Sequence, residues 1–223
     1  MEIIKTVDTD QGQIIKSIIT LYCPQGIECD STYSVGNFYK KTGIAEPQYK
    51  FDLNPQVEGV VQANAESLPL ENASISSYMF DPPFVAAIPK EQATGIITTR
   101  FGYYRNIQNE MWNFYSKAIQ EAYRVLKEDG VFIFKCQDTV DSSKQYFSHC
   151  FILNEAIFSG FYPKDLFVLV AKNRLIGKTH HNQQHARKFH SYFWVFVKQQ
   201  SKVDYRIERK HNNEQIMSCS VGG

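Results

Sequence analysis

The chain has 223 residues, 43% of them hydrophobic and 21% charged, with a net charge of +1. That is enough chain for one domain with a full core, and the composition excludes a disordered or fibrous protein. The near-zero charge excludes a global field aimed at nucleic acid or membrane, and no apolar run approaches the ~18 residues of a membrane span.

The elements follow in chain order. "DTDQGQIIKSIITLY" opens on capping residues and then sets Ile14, Ile15, Ile18, Ile19 and Leu21 at helical spacing, which predicts a helix over about 10–22. "GIECD" reads as a short strand ending in Asp30, "QYKFD" as a second ending in Asp52, and "EGVVQ" as a third leading into the turn at Asn64 and Ala65. "ASISSYMF" is a fourth, with Asp81 directly behind it. "IQNEMWNFYSKAIQEAYRVLKEDG" predicts a long amphipathic helix with Gly130 at its C′ position. "VFIFK" reads as a buried strand, "YFSHCFILNEAIFSG" as a helix, "DLFVLVAKN" as a strand and "SYFWVFVK" as the last one.

Strands alternating with helices predict an α/β fold with a doubly wound, Rossmann-like parallel sheet. Only a polar loop separates the last two strands, so the final strand is expected to return antiparallel. One domain over 1–198 and a polar tail over 199–223 are expected. In such sheets ligands bind outside the carboxyl ends of the parallel strands, where Asp30, Asp52, the turn at 63–66 and Asp81 all fall. Five cysteines without metal-type spacing, and no apolar leader, predict a reduced, cytoplasmic protein.

The stretch "DPPF", residues 81–84, has a specific chemical logic. The lone pair of a nucleobase exocyclic amine is delocalised into the ring. Acceptors gripping both of its N–H bonds draw the nitrogen toward a tetrahedral shape and free that pair. The Asp81 carboxylate and the Pro82 carbonyl are such acceptors, Pro82 and Pro83 hold them rigid, and Phe84 offers a stacking face to an extruded base. The opposing reading is a strand-ending turn with an exposed Phe. From residue 171 to 200 the chain carries Lys172, Arg174, Lys178, Arg187, Lys188, Lys198 and four histidines, with no acidic residue. Lys178, Arg187, Lys188 and His190 are the expected phosphate contacts. The histidines have no Cys or acidic co-ligand nearby, so no metal is expected. Residues 85–106 form a long connection that is expected to be mobile until substrate orders it over the target base.

With these residues in view, the chain resembles class I S-adenosylmethionine-dependent amino-methyltransferases, the group with a D/N/S-P-P-Y/F/W motif that modifies adenine N6 or cytosine N4. The resemblance covers residues 10–198. It is carried by "DPPF", by "ANAESLPLENASISSYMF" before it, by "EAYRVLKEDGVFIFK" after it, and by "GIECDSTYSVGNF", which resembles the methionine-binding loop. It implies a seven-stranded sheet whose last strand is antiparallel, and S-adenosylmethionine as cofactor. Asp30, Ser34 and Gly36 would line the methionine end, although the group usually has two glycines where Ser34 and Gly36 stand. Asp52 would accept from the ribose hydroxyls, and Asn64 with Ala65 would hold the adenine. The substrate implied is a nucleic acid, DNA ahead of RNA and adenine N6 ahead of cytosine N4. An RNA amino-methyltransferase remains an alternative, as does a cofactor-binding but inactive partner subunit. No membrane partner is expected, and recognition is left to the chain itself, to a homodimer or to another subunit. A nicotinamide enzyme is disfavoured because the first loop lacks G-x-G-x-x-G.

Overall fold

The computed structural model describes residues 3–84, 107–141, 143–172, 185–200 and 203. The expected segment 85–106, Lys178 and nearly all of the tail lie outside them. The elements in order are β1 (Val7–Asp8), α1 (Gln11–Tyr22), β2 (Cys29–Asp30), α2 (Asn37–Lys40), β3 (Tyr49–Asp52), β4 (Val61–Gln62), β5 (Ile75–Phe80), α3 (Ile107–Val125), β6 (Leu126–Cys136), β7 (Thr139–Asp141), β8 (Lys144–Tyr146), α4 (Ser148–Phe158), β9 (Tyr162–Val170) and β10 (His190–Val197).

The main sheet runs β1-β9-β10-β6-β5-β2-β3-β4. β10 is antiparallel to both β6 and β9, and the other pairings are parallel. The antiparallel last strand is as expected, but the sheet has eight strands rather than seven. The eighth is β1, whose Val7 and Asp8 pair with Val168 and Leu169 at the edge. Val7 and Asp8 lie in a polar stretch with no apolar run to mark a strand. A separate hairpin of β7 and β8 stands outside the sheet.

The strands are apolar on both faces because each face is covered. Tyr78, Phe80, Phe132, Phe134 and Phe196 meet Tyr115, Ile119 and Ala122 of α3 and Ile152 and Ala156 of α4. Met79, Ile133, Phe193 and Val195 meet Ile14, Ile15 and Ile18 of α1 and Phe38 and Tyr39 of α2. Asp10 caps α1, its Oδ1 accepting from the Gly12 and Gln13 amides at 2.7 and 3.2 Å. Later in the chain, Gly160 (φ 103°) closes α4. The Phe161 amide bonds the Ala156 carbonyl and the Gly160 amide bonds that of Ile157, the paired bonds of a Schellman cap.

Gly130 does not play the expected part. α3 ends at Val125, and the β5–β6 register jumps from Ile75 opposite Leu126 to Ser77 opposite Val131, so residues 127–130 bulge out. Asp129 takes the left-handed conformation there (φ 61°). Gly130 is instead required by close approach, since a Cβ would stand 2.7 Å from the Lys127 carbonyl oxygen. Lys198 closes the helix: its Nζ donates to the carbonyls of Tyr123 and Leu126, both at 2.8 Å, and sits 4.4 Å from the Tyr123 ring centroid. This lysine, counted in the basic segment of the sequence, is therefore a buried helix cap.

Candidate active site

The carboxyl ends of β2, β3, β4, β5 and β6 share one edge of the sheet, so the acids that end those strands converge. Asp30 is fully buried, and its two oxygens are both engaged. Oδ1 accepts from the Thr32 amide and hydroxyl at 2.8 and 3.1 Å, and Oδ2 accepts from the Tyr39 hydroxyl at 2.7 Å. Burial raises the Asp30 carboxyl to about 7, against the lowering effect of the Tyr39 and Thr32 bonds, and the charge of Asp81 adds to the rise. Thr32 is the link to Asp81, because its Oγ1 also accepts from the Asp81 amide at 2.7 Å.

The Asp81 carboxylate itself meets Lys135, with Nζ 3.3 Å from Oδ2. Lys135 follows Phe134, which pairs with Phe80, so the two side chains leave adjacent strands at the same level. Burial raises the Asp81 carboxyl and the Lys135 charge and hydrogen bond pull it back, with a net rise remaining. The Asp81 side chain is 24% exposed, so one side of the carboxylate faces solvent. Pro82 is buried, Pro83 and Phe84 are half-buried, and the Pro83 carbonyl is pinned by the Tyr115 hydroxyl of α3 at 2.7 Å. The Phe84 ring centroid lies 5.3 Å from Lys135 Nζ.

On the other side of Asp30, the loop of residues 31–36 curls over Asp52. The Ser34 amide donates to Asp52 Oδ2 and the Asn54 amide to Oδ1, each at 2.8 Å. Ser34 and Gly36 both take left-handed backbone conformations, φ 53° and 74°. A Cβ on Gly36 would collide with the Tyr33 ring, which is stacked on Tyr39. The Ser34 hydroxyl is buried with no hydrogen-bond partner among the described residues. Asn64 folds into its own turn, its Oδ1 accepting from the Glu66 amide at 3.0 Å. Next to it is a cavity of about 280 Å³ lined by Leu53, Asn64, Glu66, Glu110, Asn113 and Phe114. Ala65 is buried in the core and does not line this cavity.

Arg187 and Lys188 stand half-buried just before β10, on the same edge. His190 opens β10, with its Nε2 2.8 Å from the Tyr192 hydroxyl and its carbonyl accepting from Gln137 at 2.6 Å. Nearby, buried Asp138 holds His149 Nδ1 at 2.7 Å. Burial pushes the thiols of Cys29 and Cys136 well above their usual range, so neither is poised as a nucleophile. No described helix is long and apolar enough to cross a membrane.

Thr32, Tyr39, Tyr115 and Lys135 escaped the sequence reading. Two of them carried a signal. A lysine closing the buried run "VFIFK" calls for a partner charge, and a Thr two residues after Asp30 is the pattern of an Asx turn.

The sequence profile of the DNA methylase family of N6/N4 type matches residues 75–219. The chain belongs to the N6/N4 DNA methylase family. Membership brings S-adenosylmethionine as methyl donor. A search of curated protein sequences gives no match. Among solved structures, the [4+2]-cyclase SpnF shares the fold, with a TM-score of 0.51 and 10% identity over 85% of this chain and 82% of that one. In a chain of this methylase family, the doubly wound sheet with its antiparallel last strand is the class I methyltransferase fold. TTHA0409 of Thermus thermophilus, assigned as a DNA modification methylase and solved with S-adenosyl-L-methionine, aligns at 14% identity. Its TM-score is 0.44, over 69% of this chain and 59% of that one. The PvuII DNA methyltransferase, specific for cytosine N4, aligns at 18% identity and a TM-score of 0.46 over 61% and 48%. The chain thus spans less than two thirds of the length of either methylase.

Proposed function

We propose that this chain transfers a methyl group from S-adenosylmethionine to the exocyclic amine of a nucleobase in DNA, with adenine N6 the first target and cytosine N4 the second. The observation that carries the reading is Asp81: a carboxylate open to solvent on one side, paired with a buried cation, at the end of a central strand and followed by two prolines and a half-buried ring. Asp81 and the Pro82 carbonyl accept from the two N–H bonds of the amine, Pro83 fixes the turn through Tyr115, and Phe84 stacks on the base. The ring offers a stacking face to either base, so the methylated product decides between them.

The loop and the cavity fit the cofactor. Ser34 has an unsatisfied buried hydroxyl beside the backbone of Gly36, and the cavity at Asn64 is near the lower bound of small-molecule pockets, about 300 Å³. S-adenosylmethionine, when bound, supplies a sulfonium methyl that needs no further activation. The residues that hold it are then Asp30, Ser34 and Gly36 at the methionine end, Asp52 at the ribose, where a carboxylate offers two acceptor oxygens, and Asn64 with the backbone of Ala65 at the adenine. The protein's remaining work is alignment of nitrogen and methyl. Arg187, Lys188 and His190 contact phosphates of the strand that carries the base, and Lys178, outside the described residues, is the fourth expected contact.

The test is methyl transfer from labelled S-adenosylmethionine to unmethylated DNA and, in parallel, to bulk RNA, with the products digested to nucleosides. Label in N6-methyldeoxyadenosine supports the first target, and label in N4-methyldeoxycytidine the second. Label in a ribonucleoside moves the substrate to RNA, and no label despite cofactor binding overturns the proposal.

A further inference from the structure

The surroundings of Lys135 are more elaborate than an ion pair requires. The residue is only 9% exposed and directly follows the buried apolar run Val131–Phe134 near the end of β6. Its Nζ is 3.3 Å from Asp81 Oδ2, and three ring centroids surround it: Phe38 of α2 at 5.0 Å, Phe84 at 5.3 Å and Phe193 of β10 at 5.6 Å. All three lie within the ~6 Å at which a cation is drawn to a ring face. A buried ammonium that has left water needs its partners in place, so this one ties together four pieces of chain: β5 through Asp81, the turn through Phe84, α2 through Phe38 and β10 through Phe193.

We infer that Lys135 is the positioning residue of the proposed transfer, holding the Asp81 carboxylate and the Phe84 ring in one fixed geometry from the neighbouring strand. The inference rests on the proposed function, because these are the amine acceptor and the stacking face. Its chemistry is that of a fixed counter-charge. The groups facing Asp81 are Lys135 from β6, Asp30 from β2 with Tyr39 of α2 behind it, and Cys136 beyond Lys135. Of these, burial favours a protonated Asp81, and Lys135 is the cation opposing it. A protonated Asp81 loses its charge and much of its acceptor capacity toward the amine. Lys135 therefore sets how far down in pH the acceptor survives, and it shares the ring that receives the base.

The experiment uses the full chain and three variants: Lys135→Met, Lys135→Gln and Lys135→Arg. The first readout needs no activity. With ¹³C-labelled aspartate, the Asp81 carboxyl resonance, assigned by its loss in Asp81→Asn, is titrated by NMR. The expected result is a titration displaced upward by about one to three pH units in the Met and Gln variants, the size of an opposite charge within ~4–6 Å, and near wild type in the Arg variant. The second readout is the pH dependence of methyl transfer: its acid limb should move upward with the Asp81 titration, so that the neutral variants lose about tenfold in rate per unit on that limb while approaching recovery at high pH. Cofactor affinity should stay within a few-fold throughout. Identical Asp81 titration in wild type and the neutral variants overturns the inference even if the enzyme methylates DNA. A displaced titration in a protein that methylates nothing upholds the charge coupling and overturns the proposed function instead. Should the Met variant fail to fold, the Gln variant, polar and of similar reach, carries the same comparison.

Discussion

At the scale of single residues the site divides into acids with different tasks. Asp81 ends a central strand with one face open, whereas Asp52 sits beneath a loop that it holds down with two amide bonds. Asp81→Ala should therefore lower turnover by about 10²–10³-fold, the cost of losing one preorganised polar contact to the reacting group, while the cofactor Kd changes little. Asp52→Ala should act first on the cofactor, weakening it by about 1.5–3 kcal/mol, the worth of hydrogen bonds to a charged group. Calorimetric titration with S-adenosylmethionine beside initial rates separates the two, and equal loss of binding in both variants contradicts the division. Asp30 makes a prediction about pH. Its folded carboxyl is raised to about 7 from an ordinary 3.8, so between those values the folded state binds more protons than the unfolded state. Its stabilising contribution is complete below about 3.8 and is lost as pH rises through 7. Asp30→Asn removes that dependence, so the melting temperature of the variant relative to wild type should climb from about pH 4 to 7 and then level off. A constant difference across this window would count against a proton held at Asp30.

At the scale of elements, the junction between α3 and β6 shows what a helix end needs when no terminal glycine serves it. The carbonyls of Tyr123 and Leu126 are satisfied by a lysine from the other end of the domain, Lys198 on β10's exit. Lys198→Met should cost about 1.5–3 kcal/mol, the range for charge-assisted bonds, and lower the melting temperature by several degrees for a domain of this size. A melt unchanged within error would show that water replaces the cap. This junction is also where the sequence misled. Gly130 sits at the right distance from an amphipathic run to be a helix terminator, yet the register it serves is a bulge between β5 and β6, a relation between strands far apart in sequence that no local pattern encodes. Gly160 carries the same local signal and does close its helix, because there the cap is made within the helix itself.

At the scale of the molecule, the alternation of strands and helices and the missing crossover before the last strand were enough to place the antiparallel β10 and to bring Asp30, Asp52 and Asp81 to one edge. β1, in a polar stretch without an apolar run, left no pattern to read. The partners that organise the site, Lys135 for Asp81 and Tyr39 for Asp30, are set by pairing across strands and by a short helix packing back, so they became visible only in three dimensions. The edge also has a charge asymmetry to test. Arg187 and Lys188 stand just before β10, whereas Lys198 at its far end is consumed by the α3 cap. Replacing Arg187 or Lys188 by Gln should weaken binding to duplex DNA of any sequence and reduce the slope of log K against log salt by about one per residue. The same slope should be untouched in Lys198→Met. Slopes that fall equally in all three variants would put the DNA elsewhere.

In the proposed reaction the amine of a nucleobase is held at Asp81 while it receives a methyl group. The most direct measurement is mass spectrometry of nucleosides from DNA treated with S-adenosylmethionine and either wild-type protein or Asp81→Ala at matched cofactor occupancy. A methyl group is expected on the exocyclic nitrogen of adenine or cytosine with wild type, and its near-absence with the variant. A methyl group on a ring carbon, or equal yields from the two proteins, would contradict it.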